Sequence, residues 1–162
     1  MPTPIDAVIG LGSNLGDRLG YLHAAALQLQ RRFTLRARSS VYETAPVGPP
    51  QPDYLNAAVR IEALASVEEL LDALMEIERG CGRIRSAPRR WEARTLDLDL
   101  LWVHGVVLST PTLTVPHAHL TERAFALRPM LEVAPEAIDP RTGERFVPPP
   151  DDPGVRRTTL TL

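Results

Sequence analysis

The sequence contains no lysine, and all 18 of its basic residues are arginine. This absence excludes a lysine Schiff base and a Walker A loop, whose lysine grips the phosphates of a nucleotide. Any polyphosphate must therefore be held by arginine, histidine, backbone N–H groups or a metal ion. Cysteine is almost absent as well, because Cys81 stands alone. A single thiol excludes an intrachain disulfide and a multi-cysteine zinc site.

The sequence also lacks long apolar runs and a large net charge. No hydrophobic stretch approaches membrane-spanning length, and the first residues do not follow the pattern of a signal peptide, so we expect a cytoplasmic protein. The net charge of −2 provides no global field that would attract nucleic acid. The length predicts one domain over residues 1–162, with a proline-rich tail over residues 139–162 that has no assigned structure.

Hydrophobic periodicity predicts a mixed chain in which strands and helices alternate. A Ser66–Glu69 capping box marks the start of the second helix, and Gly80 marks its end. A last helix is expected over residues 123–134, with a kink or a restart at Pro129. The predicted strands cover residues 5–11, 33–42, 54–62, 95–103 and 106–108, and the first helix covers residues 17–31.

The order β-α-β-β-α-β predicts an α+β fold with a ferredoxin-like core and a mainly antiparallel sheet. A C-terminal hairpin strand and a helix are added to that core. We expect the helices to cover one face of the sheet and Tyr54, Asn56, Asp97 and Asp99 to lie on the other. Two long loops, 43–53 and 82–92, would fold over that open face.

Strict alternation of polar and apolar residues distinguishes the segment 94–100. In a β-strand this period places Asp97 and Asp99 on one face and the intervening leucines on the other. The usual interpretation of such a pair is the solvated face of an antiparallel sheet. However, several arginines lie within or just before the segment, and carboxylates suit Mg²⁺ whereas arginines suit phosphate. The combination favours a site for a magnesium–polyphosphate complex.

Other features each allow two interpretations. The glycine-containing segment 10–14 fits part of a phosphate-binding loop or, as we favour, a tight turn between strand and helix. His117 is either a donor to phosphate or a surface histidine, and with only His119 nearby it does not predict a zinc site. Trp91 and Phe125 are either core residues or rings that stack on a ligand.

Short motifs spread along the chain occur together in one known family. They are GSNL at 12–15, Y-x-T-x-P at 42–46, QPDYLNA at 51–57, G-R-x-R at 82–85, RTLDLD at 94–99 and TVPH at 114–117. With these motifs, the segment from about residue 5 to residue 138 resembles the 6-hydroxymethyl-7,8-dihydropterin pyrophosphokinase family of the folate pathway.

The resemblance implies that ATP donates its β,γ-pyrophosphoryl group to the hydroxymethyl oxygen of the pterin and that AMP is released. It implies that Asp97 and Asp99 bind two Mg²⁺ ions, with Asp97 near the hydroxyl proton. Arg83 and Arg94 would complete the catalytic set by neutralising charge on the phosphates. The ATP-binding residues that the resemblance implies are Glu78, Arg83, Arg85, Trp91, Arg94, Thr114, His117 and Arg123.

For the pterin, the resemblance implies a sandwich between Tyr54 and Phe125, with Asn56 at the polar edge of the ring. Trp91 would close over the site and help to exclude water. The remaining pterin-binding positions that it implies are Thr44, Ala45 and Val47. Departures from the family pattern, each of which removes or moves a nucleotide or lid contact, occur at Ser86, Thr112 and Ala118.

The resemblance implies small-molecule substrates, and we expect a monomer with no nucleic-acid or membrane partner. A competing hypothesis is a ferredoxin-like module that binds single-stranded RNA through its open sheet face. Such a module needs stacking aromatics and a basic face, whereas aromatic residues make up only 5% of this chain and Asp97 and Asp99 occupy the predicted face. A third hypothesis is a catalytically inactive relative with a regulatory role, against which the retained aspartates and arginines argue.

Overall fold

A six-stranded sheet forms the centre of the fold in a computed structural model that describes residues 3–46, 50–81 and 96–162. No helix in these ranges is long and apolar enough to cross a bilayer. In chain order the elements are β1 (Ile5–Ser13), α1 (Arg18–Arg32), β2 (Thr34–Arg38), β3 (Ser40–Thr44), β4 (Tyr54–Ala63), α2 (Val67–Gly80), β5 (Asp97–Val103), β6 (Leu108–Ser109), β7 (Thr114–Val115), α3 (Ala124–Val133), β8 (Ile138–Asp139), β9 (Glu144–Arg145) and β10 (Val155–Thr161).

The sheet is antiparallel in all of its described pairings. Its strand order is β10-β3-β4-β1-β5, and β2 also pairs with β4. Ser39 separates β2 from β3, because its N–H donates to Ala58 O at 2.9 Å while its Oγ accepts a hydrogen bond from Ala58 N–H at 2.8 Å. The single strand predicted for residues 33–42 is therefore two strands that pair with successive parts of β4.

Helices α1 and α2 cover one face of the sheet, and both begin where the sequence predicts. Asp17 caps α1 by accepting a hydrogen bond from Gly20 N–H at 3.0 Å. Ser66 caps α2 by accepting a hydrogen bond from Glu69 N–H at 3.0 Å. Such caps satisfy N–H groups that have no partner within the helix. The main hydrophobic core lies between these helices and the inward side chains of β1, β4 and β5.

Helix α3 packs on the opposite face, so the prediction that the helices share one face is wrong. Its buried side chains form a second core with residues of β1, β4 and β5. A register shift in the β1–β5 pairing between Val8 and Ile9 breaks the alternation of β5. Leu101 and Trp102, although adjacent, consequently both belong to this second core. The helix continues through Pro129 and does not restart there.

The chain after β5 differs from the prediction in two places. The hairpin strand expected at residues 106–108 does not pair with β5, because β6 pairs with β7 in a separate two-stranded sheet. In the tail without assigned structure, β10 pairs with β3 and becomes an edge of the central sheet. The ferredoxin-like core thus has its extra strand beside β3.

Tyr42 joins β3 to α3 and makes the stability of the fold dependent on pH. Its hydroxyl donates to Glu132 Oε2 at 2.7 Å. Burial and this bond raise the pKa of Tyr42 from 10.0 to about 12. The unfolded chain therefore loses this proton first as the pH rises, so the unfolding free energy should decline between pH 10.0 and about 12. We expect Tyr42→Phe to remove most of this decline in urea unfolding curves measured across that range.

At neutral pH the same substitution should cost about 1–2 kcal/mol, because it removes a hydrogen bond to a carboxylate. Tyr21→Phe, which removes a hydroxyl from α1, is the matched control for the loss of a phenol. If Tyr42→Phe and the unsubstituted protein showed the same alkaline decline, Tyr42 would not be its source.

Candidate active site

A cavity of about 580 Å³ opens on the sheet face beside α3. It gathers side chains from β3, β4, β5, β7 and the start of α3, which are far apart in the sequence. The predicted site residues that line it are Thr44, Ala45, Tyr54, Asn56, Asp97, Asp99, Thr114, His117, Arg123 and Phe125. The predicted site residues that lie outside the described residues are Val47, Arg83, Arg85, Trp91 and Arg94.

Two glycines of β1 form the floor of this cavity. Gly12 lies opposite Asn56 on β4 and Asp97 on β5, and Gly10 lies opposite Asp99 on β5. Directly opposed residues in a sheet point to the same face, so the missing side chain of Gly12 leaves a gap between the amide and the carboxylate. The interpretation of segment 10–14 as a turn is therefore wrong for its glycines, because β1 continues through Ser13.

The amide of Asn56 is held in one orientation at the β3–β4 side of the cavity. Its Nδ2 donates to Thr44 Oγ1 at 2.7 Å, and Thr44 is only 3% exposed. Its Oδ1 points toward Gly12, since it lies 2.8 Å from the position that a Cβ would take there. This geometry presents a fixed hydrogen-bonding edge to a ligand in the cavity.

The acidic pair lies at the β5 side of the cavity. Asp97 and Asp99 are half-buried and both line it, whereas Leu98 and Leu100 are buried in the main core on the opposite face. The alternation predicted from the sequence is thus confirmed. Two carboxylates with room around them fit Mg²⁺, which takes few protein ligands and keeps positions for water and phosphate oxygens. Among the described residues, no group of three or more His, Cys, Asp or Glu side chains could hold a metal.

Glu78 has a different position from the other predicted site residues. Its side chain is fully buried on α2, and its Oε2 accepts a hydrogen bond from Leu98 N–H at 2.8 Å. It does not line the cavity. Because Leu98 stands between Asp97 and Asp99, this bond holds the part of β5 that carries both carboxylates. The burial could have been foreseen, since Glu78 falls one helical turn after Leu74 on the apolar stripe of α2.

His117 is arranged as a hydrogen-bond donor toward the cavity. Its backbone N–H donates to Leu101 O at 2.9 Å, which ties it to β5. Its Nδ1 accepts a hydrogen bond from His119 N–H at 3.3 Å, so in the neutral ring the proton resides on Nε2. Burial lowers the pKa of His117, and the positive charges of Arg123 and His119 lower it further. A neutral ring with Nε2–H is therefore favoured.

The structure adds cavity residues that the sequence did not reveal. A turn between β6 and β7 forms one wall, and in it Leu113 N–H donates to Thr110 Oγ1 at 3.1 Å. Gly10 and Gly12 form the floor, as described above. The two glycines could have been recognised in the sequence, because glycines two residues apart on a strand leave that part of one face without side chains.

The chain is similar to proteins of one family. A family model described as 7,8-dihydro-6-hydroxymethylpterin-pyrophosphokinase matches residues 8–135. The 2-amino-4-hydroxy-6-hydroxymethyldihydropteridine pyrophosphokinase of Synechocystis sp. is 41% identical over 143 residues, covering 87% of this chain and 72% of that protein. The protein of the same name from Haemophilus influenzae is 41% identical over 141 residues, covering 85% of this chain and 87% of that protein.

A solved structure with a similar fold is that of Plasmodium falciparum HPPK-DHPS. The TM-score is 0.62 at 14% sequence identity, and the match covers 84% of this chain and 42% of that chain. This likeness confirms the predicted fold class. The chain therefore spans about two fifths of the length of that solved protein.

Proposed function

Because the chain belongs to the 7,8-dihydro-6-hydroxymethylpterin-pyrophosphokinase family, we propose that the cavity beside α3 is its active site. The enzyme transfers pyrophosphate from ATP to the hydroxymethyl group of 6-hydroxymethyl-7,8-dihydropterin, a step of folate biosynthesis that releases AMP. The two substrates would bind at different sides of the cavity.

One observation supports the assignment more than any other. Asn56, Gly12 and Asp97 are side by side across three neighbouring strands. Adjacent strands are about 4.8 Å apart, so the backbones at Asn56 and Asp97 are separated by roughly 10 Å, and Gly12 on the strand between them carries no side chain. That gap suits a flat bicyclic ring whose polar edge meets the amide and whose hydroxymethyl arm points toward the acidic pair.

The pterin would occupy the β3–β4 side. Tyr54 and Phe125 both line the cavity and would stack on the two faces of the ring. Asn56 would donate to and accept from the amide and amino groups of the ring edge, because the hydrogen bond to Thr44 holds its side chain in place. Backbone groups at Thr44 and Ala45, and at Val47 as the family resemblance implies, would complete that edge.

The triphosphate would occupy the β5 side, where Asp97 and Asp99 would hold two Mg²⁺ ions. When bound, Mg²⁺ neutralises charge on the triphosphate and lowers the pKa of the attacking hydroxyl group. His117 would donate from Nε2 to a phosphate oxygen, and Arg123 would supply positive charge from the start of α3. Thr114 lines the same wall and offers a hydroxyl donor. Glu78 would support the site by holding β5.

The role proposed for the arginine-rich segment comes from the family resemblance and the chemistry of the residues. Arg83 and Arg94 would neutralise the charge that develops during transfer, and Arg85 would bind ATP with them. Trp91 would cover the site and exclude water, which otherwise competes as the acceptor. Because the chain contains no lysine, arginine is its only strongly basic side chain for binding phosphate.

We further propose that residues 1–162 act as a single monomeric domain in the cytoplasm, with small molecules as its partners. The competing RNA-binding hypothesis loses support, because α3 and its second core cover part of the sheet face on which bases would stack. The acidic pair occupies the part that stays open, where it would repel phosphate in the absence of a metal.

Measurement of AMP release tests the proposed function directly. Purified protein with ATP, Mg²⁺ and 6-hydroxymethyl-7,8-dihydropterin should form AMP. Omission of the pterin, or addition of EDTA, should stop AMP formation. No AMP in the complete mixture would overturn the proposed function and would favour a catalytically inactive relative. AMP formation that persists in EDTA would overturn the metal site alone.

A further inference from the structure

Four charged side chains form a cluster behind the cavity, on the sheet face that carries α1. Arg18 Nη1 donates to Glu43 Oε2 at 3.0 Å and to Asp53 O at 2.9 Å. Arg156 Nη2 donates to Glu43 Oε1 at 3.0 Å and to Asp53 Oδ2 at 3.4 Å. We refer to Arg18, Glu43, Asp53 and Arg156 as the rear charge cluster.

The two acidic members of this cluster immediately precede two residues of the cavity. Glu43 precedes Thr44 and Asp53 precedes Tyr54, and both Thr44 and Tyr54 line the cavity. Thr44 and Tyr54 are also cross-strand partners at the end of the β3–β4 pairing. The guanidinium of Arg156 donates to both carboxylates. It therefore links β3 to the residue that precedes β4, on the sheet face opposite the cavity.

The strand that carries Arg156 lies beyond the residues matched by the family model, which end at 135. β10 places Arg156 opposite Glu43 and Val155 opposite Thr44. Just before β10, Gly154 O accepts a hydrogen bond from Ala45 N–H at 3.0 Å. The end of β3 that reaches the cavity is thus held by both the backbone and a side chain of the C-terminal segment.

We propose that Arg156 is a positioning residue for the pterin and that β10 sets the geometry of the pterin side of the cavity. This inference depends on the proposed function, since it assigns the β3–β4 side to the pterin. Arg156 does not reach the ligand itself. It acts through Glu43 and Asp53 on Thr44 and Tyr54, and through Thr44 on the amide of Asn56, which donates to Thr44 Oγ1. The β5 side, where ATP is proposed to bind, has no contact with this cluster among the described residues.

The expected effect is moderate. The side chain of Arg156 is 58% exposed, while those of Glu43 and Asp53 are 31% and 40% exposed. Exposed ion pairs shift equilibria by about two- to fivefold, and by less at high salt. Arg18 would continue to hold Glu43 after the loss of Arg156, so the fold should survive the substitution.

The test compares Arg156→Gln with Arg157→Gln. Arg157 is the next residue of the same strand, is 67% exposed, and reaches Glu132 on α3 at 3.6 Å and not the rear charge cluster. For each variant, AMP formation is measured while one substrate is varied and the other is saturating. Arg156→Gln should raise the KM for the pterin by about two- to fivefold at low salt, with kcat and the KM for ATP unchanged. Arg157→Gln should change neither KM.

A conservative variant and a salt series sharpen the result. Arg156→Lys keeps the charge and should restore part of the pterin KM, but not all of it, because the ammonium group is more strongly hydrated and its flexible stem loses more freedom for each hydrogen bond than the planar guanidinium. The difference between Arg156→Gln and the unsubstituted enzyme should shrink in about 1 M salt. Equal shifts of the KM values for both substrates, the same shift in Arg157→Gln, or no shift at all would overturn the inference.

These outcomes are separate from failure of the proposed function. If the unsubstituted protein forms no AMP, the proposed function fails and the inference fails with it. If it forms AMP and Arg156→Gln leaves the pterin KM unchanged, only the inference fails. Thermal unfolding of each variant shows whether an altered KM reflects loss of the fold, which would lower kcat as well.

Discussion

Replacing Asp97 or Asp99 with alanine should lower the rate of AMP formation by about three orders of magnitude. Metal ions contribute several kcal/mol of charge stabilisation to a transition state, and each ~1.4 kcal/mol corresponds to a tenfold change in rate. Both carboxylates line the same cavity, and neither belongs to either hydrophobic core. The loss should therefore appear in kcat with saturating substrates. Steady-state measurement of AMP release in the presence of Mg²⁺ tests this result.

The same substitutions should leave the fold intact. Asp97 and Asp99 are half-buried on the open face of β5, so truncation creates no cavity in the core. Two carboxylates two residues apart on a strand lie about 6–7 Å apart at the backbone and repel each other without a cation. Half-exposed charges contribute little to stability individually, so removal of one should change the unfolding free energy by no more than about 1 kcal/mol in metal-free buffer. Urea unfolding with EDTA measures this quantity.

Asp72→Ala provides the control, because Asp72 is an exposed carboxylate on α2 that does not itself line the cavity. It should keep full activity. Addition of Mg²⁺ with a non-hydrolysable ATP analogue should raise the melting temperature of the unsubstituted protein and of Asp72→Ala, but not that of Asp97→Ala. If Asp97→Ala and Asp99→Ala both retained more than about a tenth of the parental kcat, less than ~1.4 kcal/mol would separate them from the parent and the metal site would lie elsewhere.

The acidic pair could be predicted because strand alternation is a local property. Once segment 94–100 is read as a strand, Asp97 and Asp99 must share a face, whatever the rest of the chain does. The caps of α1 and α2 are local in the same sense, since Asp17 and Ser66 bond to N–H groups three residues away. Each of these features depends on a few neighbouring residues, and each is confirmed by the structure.

The predictions that were wrong concern contacts between residues that are distant in sequence. An amphipathic stripe predicts that α3 must bury one side, but it does not say against which face of the sheet. β10 pairs with β3 across more than a hundred residues, and Val155–Thr161 is mostly exposed, so its sequence has little of the apolar alternation that reveals a strand. Ser39 ends β2 through bonds to Ala58 on another strand, which periodicity does not encode.

Recognition of the cavity floor required the register of the sheet. The sequence shows glycine at positions 10 and 12, and a turn is the common reason for such a pair. Only the pairing of β1 with both β4 and β5 shows that Gly12 lies between Asn56 and Asp97. The role that we propose for Gly12 is to leave space between these two side chains.

Gly12→Ala should raise the KM for the pterin by about tenfold or more. A Cβ at this position would lie 2.8 Å from Asn56 Oδ1 and 3.6 Å from Tyr54 Cδ1. The contact with Oδ1 is too short, so the amide must move, although its Nδ2 is held to Thr44 Oγ1 at 2.7 Å. Misplacing a hydrogen-bonded amide leaves ligand groups unpaired, which costs about 1–3 kcal/mol. The KM for ATP should change much less.

The fold should tolerate this methyl group. The atom that must give way is the end of a side chain and not backbone, and Gly12 lies within β1, where alanine fits the backbone. Gly80→Ala is the matched control, because a Cβ there would meet no atom of the described residues within 4 Å. It should leave the KM for the pterin unchanged. Gly10→Ala should have a smaller effect than Gly12→Ala, since the described atoms nearest to its Cβ would belong to the Leu101 side chain, at 3.1 Å, and not to Asn56.

A double-mutant cycle shows whether Gly12 acts through the amide. Asn56→Ala alone should also raise the KM for the pterin. If the methyl group of Gly12→Ala acts by displacing Asn56, the double variant should be no worse than Asn56→Ala, so the two effects will not add. Fully additive effects would mean that the methyl group blocks the ring directly. An unchanged pterin KM in Gly12→Ala would place the pterin away from the gap between Asn56 and Asp97, because a ligand in that gap must contact the new methyl group or the displaced amide.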